Sequence, residues 1–163
     1  MNYAAHADAA EALAADVAEA AAVEAMVART EAELGPVTIL VNNAGVAWQG
    51  TLDTYDREQV ARMRQVNVEG VIHATRAVMG AMRARRYGRI VNVSSVAAIG
   101  TALPGNAFYA AAKAEVVILT RRFAMELGPH GVTVNAVAPG FVRTEMTQRG
   151  RGAADWQGTE ERC

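Results

Sequence analysis

The chain has 163 residues, 52% of them hydrophobic and 20% charged, with a formal net charge of -1 and an isoelectric point near 6.3. That balance describes one ordinary globular domain with material for a core, and gives neither nucleic acid nor an anionic membrane surface an electrostatic reason to bind. The single cysteine, Cys163, excludes a disulfide framework and a clustered-thiol metal site, and fits a reducing, cytoplasmic setting.

The opening Met1-Asn2-Tyr3 has no basic n-region, and Asp8, Glu11 and Asp16 interrupt the alanines that follow, so no signal peptide is read there. Two helical pieces are predicted at 5–14 and 19–33, parted near Asp16-Val17. The second carries Val23, Met26 and Val27 on one stripe and stops at Gly35-Pro36. Residues 37–41 form a short apolar run that predicts a strand buried on both faces, leading into the turn cluster Asn42-Asn43-Ala44-Gly45. A long helix is predicted over 56–85, with Val60, Met63, Val66, Val71, Ala74, Val78 and Met82 at helical spacing. A second strand, 89–93, delivers Ser94-Ser95. The charge-free stretch from Ile90 to Ala112 is broken by Asn92, Ser94, Ser95, Gly100, Pro104, Gly105 and Asn106, so it reads as strand, loop and helix and not as a membrane span. The next helix, about 107–127, ends at Gly128-Pro129-His130-Gly131, and a third strand, 132–137, ends at Pro139-Gly140. Alternation of this kind predicts an α/β fold, a doubly wound parallel sheet of Rossmann-like type with helices on both faces. Ligands of such sheets bind at the carboxyl ends of the strands, where Asn43, Ser95 and Pro139-Gly140 fall. Residues 148–163 have no apolar period and are expected to be a polar, disordered tail behind a domain spanning 1–147.

The chemistry-bearing feature is Tyr109-Ala-Ala-Ala-Lys113. Side chains four apart on a helix share a face, so the ammonium is expected close to the phenol. A free tyrosine titrates near pH ~10, so proton transfer near neutrality asks for a depression of about 3 pH units, roughly 4 kcal/mol. A neighbouring cation is the simplest source of it. Plainer readings stand beside this one. Tyr109 also suits a packed aromatic with a surface lysine one turn on, Asn67 a solvent-facing helix position, and Asp16 a helix cap. Ser94 and Ser95 compete for one role. His6, His73 and His130 have no ligand-like spacing, so no metal is expected.

Taken together, Asp16-Val17, Asn42-Asn43-Ala44-Gly45, Val66-Asn67-Val68, Ser94-Ser95, Tyr109-Ala-Ala-Ala-Lys113 and Pro139-Gly140-Phe-Val-Arg-Thr144 resemble, in order, the short-chain dehydrogenases/reductases. Among them the chain is most like the 3-oxoacyl-[acyl-carrier-protein] reductases and related alcohol dehydrogenases. The resemblance implies hydride transfer between NADP(H) or NAD(H) and a small carbonyl or alcohol substrate, with Tyr109 as general acid/base. It implies that Lys113 lowers the tyrosine pKa and holds the nicotinamide ribose, that Ser95 polarises the substrate oxygen, and that Asn67 holds a relay water. It places Asp16 and Val17 beside the adenine, Asn43, Ala44 and Gly45 under the cofactor, and Pro139, Gly140, Val142 and Thr144 near the carboxamide. The family's acidic NAD marker has no counterpart in Asn2-Tyr3, which leans to NADP(H). A homo-oligomer through the helices 56–85 and 107–127 is implied as well.

The chain also departs from the family pattern. No glycine-rich phosphate loop occurs in the 163 residues, and the first strands and the last strand of the family find no counterpart, so three of its strands are expected and strand 37–41 should expose an apolar edge. Two readings follow: an NAD(P)-dependent oxidoreductase, or a truncated, catalytically silent relative that acts, if at all, as a partner subunit.

Overall fold

The computed structural model describes residues 13–100 and 104–142. The predicted helix at 5–14, the Asn2-Tyr3 strand end, Thr144 and the tail 148–163 lie wholly or mostly outside them. The described elements are helix α1 (Ala20–Leu34), strand β1 (Ile39–Asn42), helix α2 (Arg57–Arg64), a π-helical turn (Gln65–Glu69), helix α3 (Gly70–Ala84), strand β2 (Gly88–Val93), helix α4 (Ala107–Leu127) and strand β3 (Val132–Val137). Short 3-10 turns follow β2 (Val96–Ile99) and α4 (Gly128–His130).

Each boundary has a local cause. The Asp56 carboxylate starts α2 by accepting the amides of Glu58 and Gln59 at 2.9 and 3.1 Å. Gly35 closes α1 at a positive φ of 85° that glycine adopts without a Cβ clash, its amide donating to the Glu31 carbonyl. The predicted helix 56–85 is continuous but not regular: an i→i+5 turn is inserted at its middle, and Val66, Asn67 and Val68 are all buried there. A straight α-helix cannot aim three consecutive side chains at one neighbour, because each step turns the helix by about 100°.

The sheet is parallel, in the order β1-β2-β3. Its register sets Leu40, Ile90 and Val134 side by side on one face, and α3 and α4 pack on that face, with α1 behind α3. Val27, Val78, Met82, Ile90, Leu127, Val132 and Val134 form the main core there. Complete burial of each such aliphatic side chain is worth about 1.5–3 kcal/mol. A smaller cluster of Val68, Val71, Ala112 and Val116 joins the helices.

The opposite face differs from the sequence expectation. Ile39 is 61% exposed, Val41 56% and Val137 48%, and no described helix covers them. Strand β1, predicted as buried on both faces, is therefore an edge strand with one face open, because among the described residues β2 is its only neighbour and α3 its only cover. The open apolar edge was anticipated; the open face was not. No described helix is long and apolar enough to cross a membrane.

Candidate active site

The segments after the three strands come together at the carboxyl edge of the sheet. Pairing of β2 and β3 continues past the strand ends, with the Ser94 amide donating to the Val137 carbonyl at 2.8 Å and the Val96 amide to that of Pro139 at 3.0 Å. This seats Ser95 beside Pro139-Gly140. Ser95 has extended backbone and caps the following 3-10 turn, its hydroxyl accepting the Ala97 amide at 3.2 Å, and it lies close enough to the Tyr109 phenol to draw its pKa down.

The two serines separate cleanly. Ser94 is buried and donates its hydroxyl to the Lys113 carbonyl at 2.9 Å, a tie between β2 and α4. Ser95 is the one that meets the phenol.

Lys113 is 5% exposed and donates from Nζ to the Val93 carbonyl at 2.8 Å. The same nitrogen lies 5.9 Å from the centre of the Tyr109 ring. The predicted proximity to the ring is therefore present, while the hydrogen bond of the ammonium goes to the Val93 carbonyl. The electrostatic outcome departs from the expectation accordingly. Burial holds the Tyr109 phenol above its ordinary value, with the hydrogen bond to Ser95 pulling the other way. Burial also pushes the Lys113 ammonium below its ordinary value. Desolvation outweighs the attraction of a cation that is engaged elsewhere.

Asn67 is buried inside the π-turn, which removes the solvent-facing reading. Its amide grips one residue twice: Oδ1 accepts the Val46 amide and Nδ2 donates to the Val46 carbonyl, both at 2.8 Å. That pairing pins the chain just after Asn43-Ala44-Gly45. A Cβ at Gly45 would lie 3.3 Å from Asn67 Oδ1, a tight contact, and 3.5 Å from Lys113 Nζ, an ordinary one. Neither Val46 nor Val93 was singled out in the sequence, because both act through backbone atoms that no side-chain pattern reports.

The remaining predicted residues are more scattered. Asn43 and Ala44 are exposed, as are Gly140 and Val142. Asp16 is exposed, its Oδ1 accepting the Ala18 amide at 3.0 Å and its Oδ2 the Arg62 guanidinium at 2.8 Å. Those two bonds, the amide first, hold its carboxyl below the ordinary range. The Val17 carbonyl accepts from His73 Nδ1 at 3.0 Å, and its side chain fills the space a Cβ on Gly70 would need. Asp16 and Val17 are thus moored to α2 and α3, with no described contact to Tyr109.

The Lys113 end fits the ribose of a dinucleotide on its donor chemistry. An ammonium has three donors, one of which is given to Val93, and the Cβ-free flank of Gly45 leaves room beside it. Among the described residues no group of His, Cys, Asp and Glu is arranged to hold a metal ion.

Residues 2–154 match the family model described as short chain dehydrogenase. The chain is 47% identical over 131 residues to the short-chain reductase protein NovJ of Streptomyces niveus, covering 80% of this chain and 49% of that protein. It is 45% identical over 137 residues to the inactive 2-(S)-hydroxypropyl-CoM dehydrogenase 2 of Xanthobacter autotrophicus, covering 84% of this chain and 58% of that one. A gluconate 5-dehydrogenase from Burkholderia cenocepacia, solved with NADP and tartrate, superposes with a TM-score of 0.81 at 38% identity, covering 86% of this chain and 56% of the other. The chain thus spans about half the length of the relatives it matches.

Proposed function

The chain belongs to the short-chain dehydrogenase family, and from that premise we propose that it transfers a hydride between NAD(P)(H) and a carbonyl or alcohol substrate, with Tyr109 as the proton donor and acceptor. The observation that carries the reading is the contiguity of Ser95, Tyr109, Lys113 and Asn67 at the carboxyl edge of the sheet. NAD(P)(H), when bound, supplies or takes up the hydride at the substrate carbon. Tyr109 gives its Oη proton to the substrate oxygen in reduction and takes one back in oxidation. The Ser95 hydroxyl polarises the same oxygen, while Lys113 offers its remaining donors to the ribose hydroxyls. Asn67 holds the Gly45-Val46 wall in place and, as a further assignment, supports a relay water near Lys113.

Asn43, Ala44 and Gly45 are assigned to the floor beneath the cofactor, Asp16 and Val17 to the adenine side, and Pro139, Gly140, Val142 and Thr144 to the carboxamide side. NADP(H) is preferred over NAD(H), in keeping with the NADP held by the gluconate 5-dehydrogenase. A cytoplasmic homo-oligomer paired through α2–α3 and α4 completes the proposal, with Ile118 and Met125, 53% and 68% exposed on α4, as apolar contacts.

A second reading has its own support: a relative named as inactive is 45% identical. In that reading the chain is catalytically silent and acts through association. One experiment separates the two. The chain is titrated with NADPH, following nicotinamide fluorescence and the thermal midpoint together, and then assayed with an acetoacetyl thioester or a simple ketone. Saturable binding with turnover that Tyr109→Phe abolishes establishes the enzyme. A folded chain that neither binds NADPH nor turns over establishes the silent relative.

A further inference from the structure

We infer that Asn92 and Thr120 are positioning residues, links in a buried hydrogen-bonded chain that sets the three site-bearing segments in one register. The inference deepens the proposed function and rests on that reading for its consequence in catalysis.

The helix-covered face of the sheet is apolar through Leu40, Ile90, Val132 and Val134, and then turns polar at a single row, Asn42 beside Asn92. Asn92 is 0% exposed. Its Oδ1 accepts from Asn42 Nδ2 at 2.8 Å, and its Nδ2 donates to Thr120 Oγ1 at 2.9 Å. Thr120 passes its own proton on to the Val116 carbonyl at 2.7 Å. The chain therefore crosses from the edge strand β1, through β2, to α4, with every polar atom named above matched.

Where it sits matters more than that it is satisfied. Asn42 immediately precedes Asn43-Ala44-Gly45, and Asn92 lies two residues before Ser94 and three before Ser95. Thr120 stands two turns beyond Lys113 on the same helix face. Three successive residues, the last two of β2 and the one that follows it, thus hold α4: Asn92 through Thr120, Val93 through the Lys113 ammonium, and Ser94 through the Lys113 carbonyl. Apolar contacts tolerate sliding, whereas a directional amide does not. If Asn92 loses its grip on Thr120, α4 is free to shift along β2, and Lys113 and Tyr109 shift with it.

The test compares Thr120→Val, which keeps the shape and deletes the hydroxyl, with Thr120→Ser, which keeps the hydroxyl. The first readout is the titration of the Lys113 amine by NMR, which needs neither substrate nor cofactor. The second is steady-state turnover. In Thr120→Ser the Lys113 midpoint should match the wild type. In Thr120→Val it should rise toward the ordinary lysine value, and kcat should fall on the order of tenfold to a hundredfold with KM nearly constant. An unchanged Lys113 midpoint in folded Thr120→Val overturns the inference, and so does an equal change in Thr120→Ser. Should Thr120→Val fail to fold, Asn42→Ala cuts the same chain at its half-exposed end; a smaller rise supports the inference and no rise overturns it. If the wild type shows no turnover, the functional reading fails by itself, while the Lys113 titration still decides the positioning role.

Discussion

The two faces of the sheet come from the same three strands and meet different fates. On one, Leu40, Ile90, Val132 and Val134 lie beneath α3 and α4. On the other, Ile39, Val41 and Val137 stand largely in solvent, in line with Val91 and Val93. Their apolar residues are alike in kind, although Arg89, Thr133 and Asn135 also stand on the open face. What differs is whether a helix lies across the row. Stability in the described fold is thus concentrated on one face, and the candidate-site residues Lys113 and Tyr109 are carried by a helix belonging to that face.

The contrast can be tested from its strongest side downward. Ile90→Ala should cost about 2–5 kcal/mol in denaturant unfolding, because it opens a cavity among Val78, Met82 and Val134. A cost under about 1 kcal/mol would mean that the covered face is loosely packed. Asn67→Leu, of similar size, leaves the Val46 amide and carbonyl without their partner and should cost about 1–3 kcal/mol. If it costs nothing, the π-turn does not depend on that pairing.

Lys113→Met should act as a change of slope with pH more than as an offset. The folded ammonium has a depressed pKa, so between that value and the ordinary 10.5 the unfolded chain binds a proton that the folded chain has released. Wild-type stability should therefore rise with pH across that window, and the rise should vanish in the variant. The raised Tyr109 pKa acts in the opposite direction, and only above its ordinary 10.0. Urea midpoints measured from pH 7 upward would show both. The smallest effect is expected from Val41→Thr on the open face, within about 0.5 kcal/mol. A loss near 2 kcal/mol would reveal that this face is covered in solution.

Much of this architecture was legible in the sequence. Strand β3 falls where its alternating run ends at Pro139-Gly140, and α1 and α4 stop at the glycines that marked their ends. Tyr109 and Lys113 stand out by their spacing and Ser95 through the family resemblance, and the structure places the three near one another. The misses share a cause. Periodicity tells which residues are apolar but not which elements lie across them, so β1 was read as covered on both faces. An i,i+4 spacing brings Lys113 near Tyr109 without saying how deeply the phenol is buried, and burial, not the neighbouring cation, sets the direction of the tyrosine pKa. The π-turn left one overlooked trace, the run Val66-Asn67-Val68, too densely buried for a 3.6-residue repeat.

That turn also makes chain length, and not only side-chain chemistry, a variable of the site. Deleting one residue from Gln65–Glu69 would let the helix relax to ordinary α geometry with nothing lost from the set of functional groups. Because the wide turn absorbs about one extra residue, α2 and α3 would keep nearly their present orientation, and the change would fall on the local display of Val66, Asn67 and Val68, turning the Asn67 amide away from Val46. In this helix the count of residues is itself a specification, and a single-residue deletion is a harsher change than most substitutions.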